Sequence, residues 1–334
     1  MGHETGSFEF VSFLDKSDTL KNVLHSPNYL NSVYSRGMNK RIITVCTVLV
    51  VVTLSVAGYF IYKSRTTNNE NSTNNQTSVA KEAKSYTLEL QGNQKYEPNV
   101  SSQLKFSVQD QNGNTEKKFD TTQESELHLV ILRKDRTNFQ HLHPDFNQAT
   151  GVFEVSSLTF PTDGEYRVFA DFTPSSADKD FAGLKKTYAP FQDIQAGDIA
   201  KYTPVPLGSD KLTASSNGIE SELATLEGDG GETQFFANTI LNIGLDVTQD
   251  NAPYTNLQPY FGSLGHLFAF GPDLEFVHAH PLVEGSTNQT GQIVFQATFP
   301  KSGQYKVFTQ TQANNQVSTT GYTVTTKDLP GRNQ

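Results

Sequence analysis

Six of the eight histidines in this 334-residue chain fall into two sets of three. His128 precedes His141-Leu142-His143-Pro144, and His266 precedes His278-Ala279-His280-Pro281. Neutral imidazole is the commonest protein metal ligand near neutral pH. Three imidazoles with bonds of roughly 2.0–2.1 Å leave a further coordination position for water or another ligand, which suits Zn(II) or Cu(II). The candidate ligands are therefore His128, His141, His143, His266, His278 and His280.

Strands are the elements that bring such spacings together. Side chains at i and i+2 share one face of a strand, so each His-x-His pair points one way. Pairing Leu132 with Phe139 closes a hairpin that sets His128 opposite His143, and pairing Phe270 with Phe276 sets His266 opposite His280. Directly opposed β-carbons lie roughly 4.5–5.5 Å apart, close enough for three rings to converge. Each trailing proline holds its histidine extended and ends the strand. Asp171, on a neighbouring strand, fits a fourth ligand or a group that orients an imidazole. Its counterpart is Gln310, which confines that role to the first set. Val130, Leu132 and Phe139 share the face of one set and Phe268, Phe270 and Phe276 that of the other, so neutral core histidines are the competing reading.

Both sets belong to a tandem repeat. Phe160-Pro161-Thr162-Asp163-Gly164-Glu165-Tyr166-Arg167-Val168-Phe169 recurs as Phe299-Pro300-Lys301-Ser302-Gly303-Gln304-Tyr305-Lys306-Val307-Phe308, six of ten positions being identical. The glycine permits a turn, and the tyrosine offers a ring to bury and a hydroxyl to cap the corner. Short runs of β-branched and aromatic residues, bounded by Gly, Asn, Asp and Pro, recur through both copies. The pattern predicts an all-β chain, two tandem Ig-like antiparallel β-sandwich modules, over residues 85–205 and 206–327 with a tail at 328–334.

Composition narrows the chemistry. Beyond residue 65 there is no cysteine or methionine, which removes disulfides and the soft ligands that Cu(I) prefers. The same stretch carries 31 acidic and 19 basic side chains, a balance that argues against nucleic acid as a partner. No nucleophile elbow, Walker loop or dinucleotide fingerprint is present, so an enzyme is not expected.

Ile42 to Tyr62 is an uncharged apolar run, long enough to span roughly 30 Å of hydrocarbon as a helix. Arg36, Lys40 and Arg41 precede it, favouring a cytoplasmic tail at residues 1–41 and modules on the far side. A cleaved leader is the competing reading, through Ser55-Val56-Ala57, but the apolar run continues past that point. Residues 63–84, rich in Asn, Thr and Ser, read as a flexible spacer.

The His-x-His-Pro hairpins and the following Pro-x-x-Gly-x-Tyr strands resemble poorly characterised bacterial secreted or membrane-anchored proteins with YtkA-like Ig-fold modules. That resemblance covers about residues 100–175 and 235–325. It implies a bacterial envelope location, at the cytoplasmic membrane, and an association with copper handling carried by the same six histidines. A metal-binding protein for storage, sensing or delivery is the expectation, with the membrane and an envelope protein of unknown identity as its partners. A structural or adhesive surface protein with buried histidines is the alternative.

Overall fold

The computed structural model of the chain describes residues 84–92, 95–179, 183–226, 233–282 and 290–330, all within one compact unit, Glu82–Gln334. The tail, the transmembrane segment and the spacer expected over residues 1–84 lie outside the described residues, residue 84 excepted. No helix among the described residues is long and apolar enough to cross a membrane.

The fold is all-β and built from two repeated domains, as the strand pattern predicts. In the first, a four-stranded sheet centred on Ser102–Asp110 and Val152–Leu158 faces a five-stranded sheet centred on Gly164–Asp171. His128–Arg133 and Gln140–Leu142 form one flank of that second sheet. The second domain repeats the plan, with Ile240–Gln249 central to one sheet and Gly303–Ala313 to the other. There His266–Phe270 and Phe276–Ala279 form the flank.

Each module has its own core. Phe106, Phe153, Leu129 and Ile131 lie in the first, and Phe295, Phe299, Leu267 and Ala269 in the second. The repeated tyrosines pin one corner of each. Tyr166 and Tyr305 are fully buried, and their hydroxyls donate to the carbonyls of Thr162 at 2.9 Å and Lys301 at 3.2 Å. Gly164 and Gly303 open the strands at φ of 142° and 133°, where a β-carbon would be strained.

A third apolar cluster joins the two modules. An antiparallel sheet with one wet face alternates buried and exposed residues, yet every residue of His128–Arg133 and of His266–Phe270 is buried. Leu129 and Ile131 fill their own core, whereas Val130 and Leu132 turn outward and meet Phe268, Phe270 and Phe308 of the other module. The two histidine-bearing sheets thus pack outer face to outer face. Phe139 stacks on Phe308 with centroids 4.6 Å apart, and Phe169 on Phe276 at 4.9 Å. Arg136 reaches across to donate to the carbonyls of Gly271 and Gln304.

Truncating Phe270 to alanine is expected to lower the unfolding free energy by about 3–5 kcal/mol, the usual cost of removing a fully buried phenylalanine. Because this ring touches both modules, urea denaturation should show one transition displaced as a whole. A shift confined to part of the transition would show that the modules do not unfold together.

Candidate metal centre at the module interface

The hairpins adopt the register expected from their loops. Leu129 pairs with Leu142 and Val130 with His141, so the next step along the ladder brings His128 beside His143. In the second module Phe270 pairs with Phe276 and Phe268 with His278, which carries His266 toward His280. All six histidines lie on the outward faces of their sheets, the faces that meet. The structure therefore gathers them into one cluster, with His128 ring-to-ring distances of 5.3 Å to His141, 4.5 Å to His143, 5.2 Å to His278 and 5.7 Å to His280.

Hydrogen bonds on the far side of four rings decide which nitrogen points inward. His128 Nε2 donates to the carbonyl of Thr122 at 3.1 Å, and His266 Nε2 to that of Tyr260 at 2.8 Å. A carbonyl only accepts, so these rings carry their proton on Nε2 and leave Nδ1 with a lone pair. His141 Nδ1 lies 2.9 Å from Gln310 Oε1, whose amide nitrogen is engaged by Thr319. His278 Nδ1 lies 2.6 Å from Asp171 Oδ2. Both of these rings therefore present a bare Nε2.

Asp171 occupies the orienting position suggested by the sequence, but its partner is not in its own module. It pairs with His128 across the ladder and holds His278 of the second module. Nor is such a role confined to the first set, because Gln310, paired with His266, holds His141 of the first module. The exchange follows from the face-to-face packing: each module orients an imidazole of the other. A carboxylate or carbonyl behind a metal-binding imidazole fixes its tautomer and raises its basicity.

Burial keeps the cluster neutral. It pushes His143 down to about 3 and His266 down to about 4, and it holds His128, His141, His278 and His280 below the usual histidine value, with neighbouring imidazoles contributing. Burial pushes Asp171 up to about 6, so at neutral pH it remains a carboxylate facing an uncharged ring. Neutral imidazole is the form that binds a metal, so no proton competes for these nitrogens at pH 7.

Two of the distances between these nitrogens match those of ligands on one ion. His128 Nδ1 lies 3.1 Å from His141 Nε2 and 3.2 Å from His143 Nε2. The first of these contacts brings two lone pairs together with no proton between them. Four nitrogens bound tetrahedrally at roughly 2.0–2.1 Å stand about 3.3 Å apart. In the second set, His266 Nδ1, His278 Nε2 and His280 Nε2 are buried without a hydrogen-bond partner. Such atoms are costly unless something polar or cationic satisfies them. The donor set therefore fits a borderline divalent ion that takes nitrogen ligands.

The two sides of the cluster differ. Phe261 stacks on His143 with centroids 3.7 Å apart and meets His141 edge-on. It does so from φ of 48°, a rare conformation for an aromatic residue. On the other side a cleft of about 440 Å³, lined by Asp171, Tyr188, Phe276 and Pro300, reaches His278 and His280. The sequence names Gln310 only as the counterpart of Asp171, with no role of its own, and does not point to Phe261. Gln310 was accessible through its alignment with Asp171, whereas Phe261 sits in a turn with no periodic signal.

The family model described as a domain of unknown function, DUF8832, matches the chain twice, over residues 80–182 and 225–328. The chain belongs to the DUF8832 family. Each DUF8832 copy carries one histidine set and one orienting residue, and the interface cluster arises where the two copies meet. A search of curated protein sequences finds no match. Among solved structures the tandem DUF8832 chain is similar to Salmonella alpha-2-macroglobulin reacted with methylamine, at 10% identity over 73% of this chain and 15% of that one, with a TM-score of 0.23. It is also similar to invasin, a bacterial integrin-binding protein, at 16% identity over 74% and 40%, with a TM-score of 0.21. The D00-D0 domain of intimin matches at 12% identity over 73% of this chain and 100% of that one, with a TM-score of 0.21. Likeness at this level carries no argument about function.

Proposed function

We propose that this chain is a metal-binding protein of the bacterial envelope, anchored through residues 42–62, that holds Cu(II) or Zn(II) in the histidine cluster between its two modules for storage, sensing or delivery. The observation carrying this reading is the convergence of imidazole nitrogens, with His141 Nε2 and His143 Nε2 at 3.1 and 3.2 Å from His128 Nδ1, on rings that burial keeps neutral at working pH. Neutral core histidines normally share a proton in a hydrogen bond. In the contact between His128 and His141 the outer bonds to Thr122 and Gln310 have already taken the protons that such a bond would need. The absence of thiolate and thioether favours Cu(II) or Zn(II) over Cu(I). The cleft beside His278 and His280 supplies an approach for the ion, and the resemblance to YtkA-like modules supports copper as its identity.

The test is the metal content of the purified full chain, without an affinity tag containing histidine, after equilibration with each ion and desalting. Mass spectrometry should find at least one equivalent per chain. A variant with all six histidines changed to alanine should carry none while keeping its strand signal in circular dichroism. An ion-free parent would sink the proposal and leave a structural or adhesive surface module.

Asp171→Asn is expected to weaken ion binding about 10–100-fold, because the charge behind His278 is lost while the shape is kept. Competition with a chromogenic chelator measures this. An unchanged affinity would mean that His278 is not a ligand.

A further inference from the structure

The tandem repeat suggests one ion for each histidine set. We propose instead that the cluster holds a single divalent cation shared by both modules, with His128 as its hub. This rests on the metal-binding reading above and goes beyond it by assigning the number of ions and the ligands of each module.

Two groups of side chains in the described residues converge closely enough to hold an ion, with ligand atoms within 4.8 Å of one another. One is His128, His141 and His143, and the other is His128, His278 and His280. The second group crosses the interface, and His128 belongs to both. Its Nε2 is committed to the carbonyl of Thr122, so it has one inward lone pair, on Nδ1, and one lone pair serves one ion. Two sets that share this atom cannot each hold their own cation. They describe the two sides of one position, with His141 and His143 supplied by the first module and His278 and His280 by the second.

His266 belongs to neither group, although the repeat makes it the twin of His128. Its ring borders the cluster, 5.1 Å from those of His141 and His280 and 6.3 Å from that of His128, but it is in neither set of converging ligand atoms. Charge argues the same way. Among the described residues the carboxylate found against the cluster is Asp171, which faces His128 and is already hydrogen bonded to His278. Two divalent ions a few ångströms apart would have one negative charge to offset four positive ones, in a buried site where repulsion is poorly screened. Phe261, stacked on His143, has Gln123 as its counterpart in the repeat, so the two halves of the cluster are not built alike.

The consequence is a clamp. An ion bound in this way ties the sheet carrying His128–Arg133 to the one carrying Phe276–Ala279, and neither module holds all of its ligands.

The experiment compares the full chain with His128→Ala and His266→Ala, each titrated with Cu(II) and Zn(II) salts and analysed for bound metal. Electron paramagnetic resonance is recorded on the Cu(II) forms. One equivalent is expected in the parent, with an isolated Cu(II) signal. His128→Ala should lose it, whereas His266→Ala, which removes a buried nitrogen at the border of the cluster, should weaken its binding by no more than about tenfold. Two equivalents in the parent, with one left in each variant, would overturn the shared site while sustaining metal binding. Loss of the ion from both variants would overturn the hub assignment. A parent that binds nothing would remove the metal-binding reading itself. Should His128→Ala fail to fold, the less buried pair His143→Ala and His280→Ala decides. Both must weaken the same single equivalent, and an effect of only one of them would overturn the sharing.

Discussion

With metal chelated, the folded chain is expected to lose stability steeply as the pH falls from about 6.5 toward 4. Each buried imidazole has a folded pKa below its unfolded value of about 6.5, with His266 at about 4 and His143 at about 3. A depressed pKa means that the unfolded chain takes up the proton first. The stabilisation is therefore complete above about pH 6.5 and is withdrawn as the pH falls through the folded values. Asp171 acts in the opposite sense. Its folded pKa of about 6 lies above the unfolded carboxylate value, so between about pH 6 and 4 the folded form binds that proton first and gains stability. Six imidazoles against one carboxylate leave at most about five protons, hence at most about 7 kcal/mol per pH unit, with less from the more exposed rings. Domain stabilities of roughly 5–15 kcal/mol cannot absorb that slope for long. Urea midpoints measured in chelator at half-unit steps should collapse before pH 4. A chain that stays folded down to pH 3 would show that the histidines are not buried together.

Saturating Zn(II) or Cu(II) is expected to raise the unfolding free energy by about 4 kcal/mol at an ion concentration a thousand times the dissociation constant. For a folded unit of this size, that is a rise of roughly 8–16 °C in melting temperature. The ligands and their orienting partners are divided between the modules, with Asp171 behind His278 and Gln310 behind His141. Both modules should therefore melt later and together. Calorimetry with metal, with chelator, and with chelator followed by metal measures this. An unmoved transition, or one in which only part of the heat is displaced, would contradict an ion seated across the interface.

Much of this site was legible in the chain. The i, i+2 spacing of His141 and His143 put both on one face, and the loop lengths determined the register that the ladders adopt. The turn glycines and the buried tyrosines followed from chemistry that acts over a few residues. Strands rich in hydroxyls were harder to see. Gln316–Lys327 is the longest strand of the described chain, but its buried side chains include Ser318, Thr320, Thr323 and Thr326. Hydrogen bonds such as Thr309 to Thr320 at 2.8 Å make that burial tolerable. Apolar periodicity does not report such a strand.

The sequence by itself determined which residues share a face, how each hairpin is registered and that two similar modules follow one another. These depend on backbone period and turn geometry, which are local. Only the tertiary structure decided that the two histidine faces meet, that the cluster lies between modules, and that Asp171 and Gln310 each serve an imidazole of the other module. Val130 and Leu132 on one sheet, and Phe268 and Phe270 on the other, gave the clue, since outward apolar residues on an antiparallel sheet need a cover. What covers them depends on shape complementarity between surfaces far apart along the chain, and spacing along one strand carries no record of that.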